Sequence, residues 1–149
     1  MIILNDDFKD FIKAFNNAGV QYIIVGGYAV ILHGYNRTTG DIDIWVKKAE
    51  SNYQLIVRAF NDFKMPLFDM TLENFMTNPD MDVFTYGRPP VSIDIMTSVK
   101  GLDFNRSYER SNIVEVNGLM IRIIDHNDLL LSKKASNRPK DQDDIDHLT

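Results

Sequence analysis

Residues 25–46 read VGGYAVILHGYNRTTGDIDIWV: a strand end, a glycine pair, a short helix, a turn and a second strand bearing two acids. Tyr22-Ile23-Ile24-Val25 is a β-rich run that Gly26-Gly27 closes. Ala29 to His33 suits a short helix stopped by Gly34, residues 35–40 are turn chemistry, and Asp41 to Lys47 return to strand. Residues two apart on a strand share a face, so Asp41 and Asp43 project together while Ile42 and Ile44 enter the core. Side-by-side carboxylates repel unless a cation relieves them, and magnesium favours carboxylate and phosphate oxygens together. Each feature alone has a plainer reading. A glycine pair after a strand is more often a simple turn, and two alternating acids more often mark a solvated face. A glycine loop before a helix also lets a backbone approach phosphate closely.

Outward from this stretch the chain alternates helices and strands. Asn5 with Asp6-Asp7 predicts a helix start, with Phe8, Phe11, Ile12 and Phe15 on one stripe and Gly19 at its end. Asn52 to Phe63 predicts a second helix, and VSIDIM at 91–96 a strand carrying a third acid, Asp94. If that strand neighbours the first, three carboxylates meet on one sheet face, enough for two metal ions and a general base. Taken singly, Asp94 reads as an ordinary exposed residue. Pro66, Pro79 and Pro89-Pro90 make residues 64–90 a loop with short pieces of structure. Asn117-Gly118 between two β-rich runs predicts a type I′ hairpin. Asp125 caps one terminal helix and Pro139 opens another.

Length and composition bound the rest. At 149 residues the chain is one domain, large enough to bury a true core. Its 44% hydrophobic and 25% charged content is ordinary globular usage. The lack of cysteine removes thiol catalysis and zinc–cysteine or iron–sulfur sites. A net charge of −5 argues against a broad duplex-binding surface. No apolar run approaches the ~18 residues of a membrane span, and MIILNDDFKD does not resemble a signal segment, so a soluble cytoplasmic protein is expected.

The ordered pattern of strand, Gly-Gly, helix, Arg-x-Thr-x-Asp-x-Asp and a later strand Asp resembles minimal nucleotidyltransferases of the polymerase β-like superfamily. The tail KKASNRPKDQDDIDHL, residues 133–148, resembles the bacterial branch of abortive-infection toxins and lincosamide nucleotidyltransferases. The likeness runs over about residues 20–147 and leaves the middle unmatched. It implies an α/β (α+β) fold, a mixed sheet flanked by helices, with a single domain over 1–149: core about 20–124, C-terminal helices about 125–149.

By the same resemblance Asp41, Asp43 and Asp94 are catalytic and metal-binding, with Asp94 the general base and two Mg2+ ions expected. Gly26, Gly27, Arg37, Thr39 and Lys133 are nucleotide-binding, Lys134 being the alternative to Lys133. Arg138, Lys140, Asp141 and Asp144 match the tail pattern as structural salt bridges. The implied activity moves a nucleoside monophosphate from an NTP to a hydroxyl acceptor, which is a small molecule, a protein or tRNA, and releases pyrophosphate. The rival is a regulatory member of a toxin–antitoxin or phage-defence pair, or a tRNA-modifying toxin; a homodimer or a partner from a neighbouring gene fits either. Many superfamily members carry Gly-Ser in the first motif, where this chain has Gly27-Tyr28.

Other residues have a plainer and a sharper reading. Trp45 either packs at the sheet margin or flanks a base, and Arg88 is either an exposed loop residue or a cleft guard. His33, His126 and His147 share no metal-ligand spacing. Met65, Met70, Met76 and Met81 suit gap-filling.

Overall fold

The computed structural model describes residues 6–35, 37, 39–88 and 91–149, with the side chains of Arg88 and Val91 left out. The proposed cap Asn5, the Arg88 side chain and the Pro89-Pro90 break lie outside the described residues, as do Asn36 and Thr38.

The first half runs α1 (Asp6–Ala18), β1 (Tyr22–Val25), α2 (Gly26–Leu32), β2 (Asp41–Val46), α3 (Glu50–Phe63), α4 (Leu72–Met76) and β3 (Val83–Arg88). The second half runs β4 (Val91–Met96), α5 (Phe104–Arg110), β5 (Asn112–Val116), β6 (Leu119–Ile123), α6 (His126–Ser136) and α7 (Pro139–Leu148). The expected mixed sheet flanked by helices, with a C-terminal helical pair, is what forms. Its six strands take the order β3-β4-β2-β1-β6-β5. The β2–β4 and β1–β6 pairs are parallel; the other three are antiparallel.

Strand alternation divides the core. Tyr22, Ile24, Ile42, Ile44 and Val46 point to one face, where α1 and α3 deliver Phe8, Phe11, Phe15, Ile56 and Phe60. These helices pack because their apolar residues recur at helical spacing. Phe11 and Phe15 lie 4.6 Å apart by ring centroid, and Phe60 meets Phe11 edge-on at 5.5 Å. Truncating one such phenylalanine to alanine costs about 3–5 kcal/mol. Met70 is fully buried there, with Met65, Met76 and Met81 packed at the margin, so the methionines fill gaps as expected.

Ile23, Val25 and Trp45 point to the other face, against Ala29, Val30, Leu129 and Leu148. Trp45 is 1% exposed and edge-on to Phe104 at 5.2 Å, which makes it a core residue rather than a base-stacking wall.

Three boundaries differ from the sequence reading. Helix α2 begins at Gly26 rather than Ala29, so the glycine pair forms its first turn. Helix α3 starts two residues early, at Glu50. The middle section holds a full edge strand, β3, with Phe84 and Tyr86 buried. The hairpin turn is as expected, with Asn117 at φ 53° and Gly118 at φ 81°. Asp125 accepts hydrogen bonds from the Asn127 and Asp128 amides and caps α6, and Pro139 opens α7. No helix among the described residues is long and apolar enough to cross a membrane.

Candidate active site

The parallel pairing of β2 and β4 sets Asp43 opposite Asp94 and Asp41 opposite Ser92. All four face the side away from the phenylalanine core, because Ile42, Ile44, Ile93 and Ile95 between them take the other side. The Asp43 and Asp94 carboxyl groups lie within hydrogen-bonding reach. Burial first, then the charge and hydrogen bond of Asp94, push the Asp43 pKa from 3.8 up to about 6. The charge of Asp41 adds to the rise and that of Lys133 opposes it. Asp94 is fixed from its other side: Thr85 on β3 is its cross-strand partner, and the Thr85 hydroxyl donates to Asp94 Oδ1 at 2.7 Å.

Asp41 sits one turn of the pleat away. It is exposed, and Ser92 donates to its Oδ1 at 2.7 Å. Two of the three acids therefore form a tight pair, with the third beside them. Among the described residues no group of three or more His, Asp or Glu is arranged to hold a metal. The donor set on hand is the facing pair Asp43 and Asp94. Oxygen-only, anionic and partly buried, it fits a hard divalent cation, whose charge would offset the burial and the repulsion that lift the Asp43 pKa.

The glycine pair is dictated by space. Gly26 has φ +67°, and a side chain there would run into the Asp43 carboxylate. At Gly27 a Cβ would meet Thr39 Oγ1 at 2.9 Å and Arg37 Nη2 at 3.1 Å. Arg37 and Thr39 thus form the wall over the start of α2, and Thr39 also donates to the Asp41 carbonyl at 3.4 Å.

A second charged group closes the opposite side. Arg37 Nε lies 3.0 Å from Asp144, and Lys133 Nζ bridges Asp144 at 3.1 Å and Asp141 at 3.3 Å. Arg138 grips Asp141 through Nε at 2.9 Å and Nη2 at 3.1 Å, while its amide donates to the same carboxylate at 3.0 Å. Burial alone would raise the Asp141 pKa; the Arg138 hydrogen bonds and the Lys133 charge outweigh it, and the net direction is down. Lys133 is buried and engaged by two acids, whereas Lys134 is exposed. Lys140 is exposed as well.

Between the acid pair and this network lies a cavity of about 510 Å³, lined by Gly26, Asp43, Asp94, Lys100, Lys133 and Arg138 among others. Asp41 is outside its lining. The histidines serve the fold: His33 contacts the Ile124 carbonyl at 2.7 Å, and His126 the Leu148 carbonyl at 2.8 Å. Ser92, Thr85 and Lys100 are among the polar residues at the site that escaped the sequence reading. Ser92 was visible in principle, two residues before Asp94 on the same strand face. Thr85 and Lys100 carry no local signal, since only the β3–β4 register and the loop after β4 bring them in.

The sequence profile of a family described as "Nucleotidyltransferase of unknown function (DUF6036)" matches residues 4–149. No curated relative matches the chain in sequence. Among solved structures it resembles the lincosamide antibiotic adenylyltransferase LnuA in its lincomycin-bound form, with TM-score 0.58 and 15% identity over 98% of this chain and 96% of that one. A nucleotidyltransferase candidate from Thermotoga maritima aligns with TM-score 0.58 and 12% identity over 97% and 93%. An antigenic nucleotidyltransferase-like protein from Paracoccidioides brasiliensis gives TM-score 0.53 and 15% identity over 97% and 76%. At these identities the structural likeness establishes the fold.

Proposed function

Since the chain belongs to the nucleotidyltransferase family DUF6036, we propose that it transfers a nucleoside monophosphate from an NTP to a hydroxyl-bearing acceptor. The observation that carries this reading is the Asp43–Asp94 pair, in register on parallel strands and open to a cavity with cations on its far wall. When bound, Mg2+ would supply charge neutralisation for the attacking and leaving oxygens. Asp43 and Asp94 would hold it, with the charge of Asp41 adding to the field from beside them.

The remaining work falls to the chain's own groups. Gly26 and Gly27 leave room for the triphosphate to approach the backbone at the start of α2. Lys133 and Arg138 set a positive potential where the β- and γ-phosphates would lie. Asp141 and Asp144 hold Lys133 in place, and Arg37 and Thr39 keep the wall over Gly27 rigid. Asp94, oriented by Thr85, accepts the proton of the acceptor hydroxyl as its oxygen attacks the α-phosphorus. Positioning and charge then account for most of the rate enhancement.

The test is an assay with α-labelled nucleoside triphosphates and a panel of acceptors, with magnesium and nucleotide binding measured by calorimetry. Asp43→Asn and Asp94→Asn are expected to lower transfer by at least about 10²-fold, the range for loss of general-base or charge stabilisation. A protein that binds neither magnesium nor any nucleoside triphosphate would sink this reading.

A further inference from the structure

Among the described residues three cations line the main cavity, Lys100, Lys133 and Arg138, and they differ in what already holds them. Lys133 reaches Asp144 at 3.1 Å and Asp141 at 3.3 Å, and Arg138 reaches Asp141 at 2.9 Å. Arg37 joins the same two carboxylates through Asp144. One excess positive charge is therefore shared over five side chains, and much of the field of Lys133 and Arg138 is cancelled inside the protein. Lys100 is different. It is exposed, and among the described residues no carboxylate forms an ion pair with it.

The backbone fixes where Lys100 stands. The Leu102 amide donates to the Val99 carbonyl at 3.1 Å, so residues 99–102 form a tight turn with Lys100 and Gly101 at its centre. Val99 and Leu102 pack against the core of Trp45 and Leu129, which anchors the turn at both ends. Gly101 has φ +87°, and a Cβ there would come within 3.1 Å of the Ala135 Cβ on α6. Ala135 adjoins the stripe of Ser132 and Ser136, one turn apart, that lines the cavity with Lys133. The turn thus seats Lys100 against the α6 wall of the cavity. A lone surface lysine is normally just solvated. This one stands on an anchored turn, at the one large polar cavity that also holds the acid pair.

We infer that Lys100 grips the terminal phosphate of the bound nucleotide and makes the site select triphosphates over shorter phosphate chains. This rests on the proposed function for the identity of the ligand. A triphosphate carrying one Mg2+ stays anionic, and the compensated network around Lys133 and Arg138 leaves part of that charge unmatched. The Lys100 ammonium, on its flexible stem, supplies a full charge and a charge-assisted hydrogen bond to a phosphate oxygen. With the α-phosphate beside the acids, the rest of the chain extends toward the α6 wall, where Lys100 is seated. A shorter chain with its α-phosphate in the same place lacks the oxygens that Lys100 binds.

Calorimetric titration of the full chain with magnesium present tests this. The probes are inorganic tripolyphosphate, the four ribonucleoside triphosphates with a non-hydrolysable α–β bridge, and the matching monophosphates. Lys100→Ala should weaken tripolyphosphate and the nucleoside triphosphate that binds by about tenfold, the scale of one hydrogen bond to a charged group. The monophosphate should change by less than about twofold, and Lys100→Arg should restore most of the triphosphate affinity. Unchanged triphosphate affinity in Lys100→Ala, an equal loss for monophosphate and triphosphate, or no recovery in Lys100→Arg would each overturn the inference and leave the proposed function standing. If neither magnesium nor any nucleoside triphosphate binds the unmutated chain, the proposed function falls. Tripolyphosphate that still binds through Lys100 would then keep this lysine as a polyphosphate contact, and its failure to bind would remove both.

Discussion

Two pairs of aspartates, one lining the cavity and one behind the cations that line it, behave oppositely. Asp141 and Asp144 are buried but surrounded: Lys133 touches both, Arg138 holds the first and Arg37 the second. Asp43 and Asp94 face each other, and among the described residues no ion pair reaches either. In the first pair the pKa of Asp141 is displaced downward; in the second, the Asp43 pKa is pushed up to about 6. A carboxylate satisfied by its own chain is part of the scaffold. A carboxylate pair left in mutual repulsion holds back stability that an external cation can restore.

Substitutions should separate the two pairs by sign. Asp141→Ala leaves Lys133 and Arg138 short of a counter-charge inside the protein, and should cost about 3–5 kcal/mol of stability in urea unfolding. A loss under about 1 kcal/mol would mean the network is not structural. Asp43→Asn should act in the other direction. Without divalent cations at neutral pH, removing one charge from the repelling pair should stabilise the fold by about 1–3 kcal/mol. A clear loss of stability would show that the pair is already compensated from within.

The same contrast predicts a pH dependence. Because the folded pKa of Asp43 lies above its unfolded value, the folded state holds the extra proton between about pH 4 and 6. The cation-free protein should therefore lose stability as pH rises through that window, relative to Asp43→Asn. Magnesium must displace this proton, so the upward shift in melting temperature that it produces should fade as pH drops below about 6. A magnesium shift that stays constant from pH 5 to pH 8 would show that the ion does not use this pair. The smallest effect should come from Thr85→Val, which removes one hydrogen bond to Asp94 and should cost about 1 kcal/mol or less. Its signature would be in the pH profile of transfer, with Thr85→Ser restoring the original curve.

How much of this was legible in the sequence follows from what each feature depends on. The strand Asp41–Val46 was readable because the acid–isoleucine alternation states both its conformation and its buried face. The hairpin was readable because Asn117-Gly118 supplies the two positive φ values its turn needs. Strand β3 was not: a glycine at 87 and prolines at 89 and 90 look like loop, and an edge position is what tolerates the glycine. The pairing of Asp43 with Asp94 was conditional on strand order, which periodicity cannot supply. Likewise Lys133 reads as a nucleotide contact alone, because nothing local shows that α7 folds back to place Asp141 and Asp144 around it. Separation in sequence, rather than strangeness of residues, marked the limit.

The parallel β2–β4 pairing has one more consequence. Asp43 and Asp94 are joined by a crossover containing α3, α4 and β3, so no local stretch of chain can bring them together. The facing acid pair exists only once the centre of the sheet has assembled. A divalent ion would thus select finished molecules from partly folded ones, favouring the native state by mass action and slowing its loss.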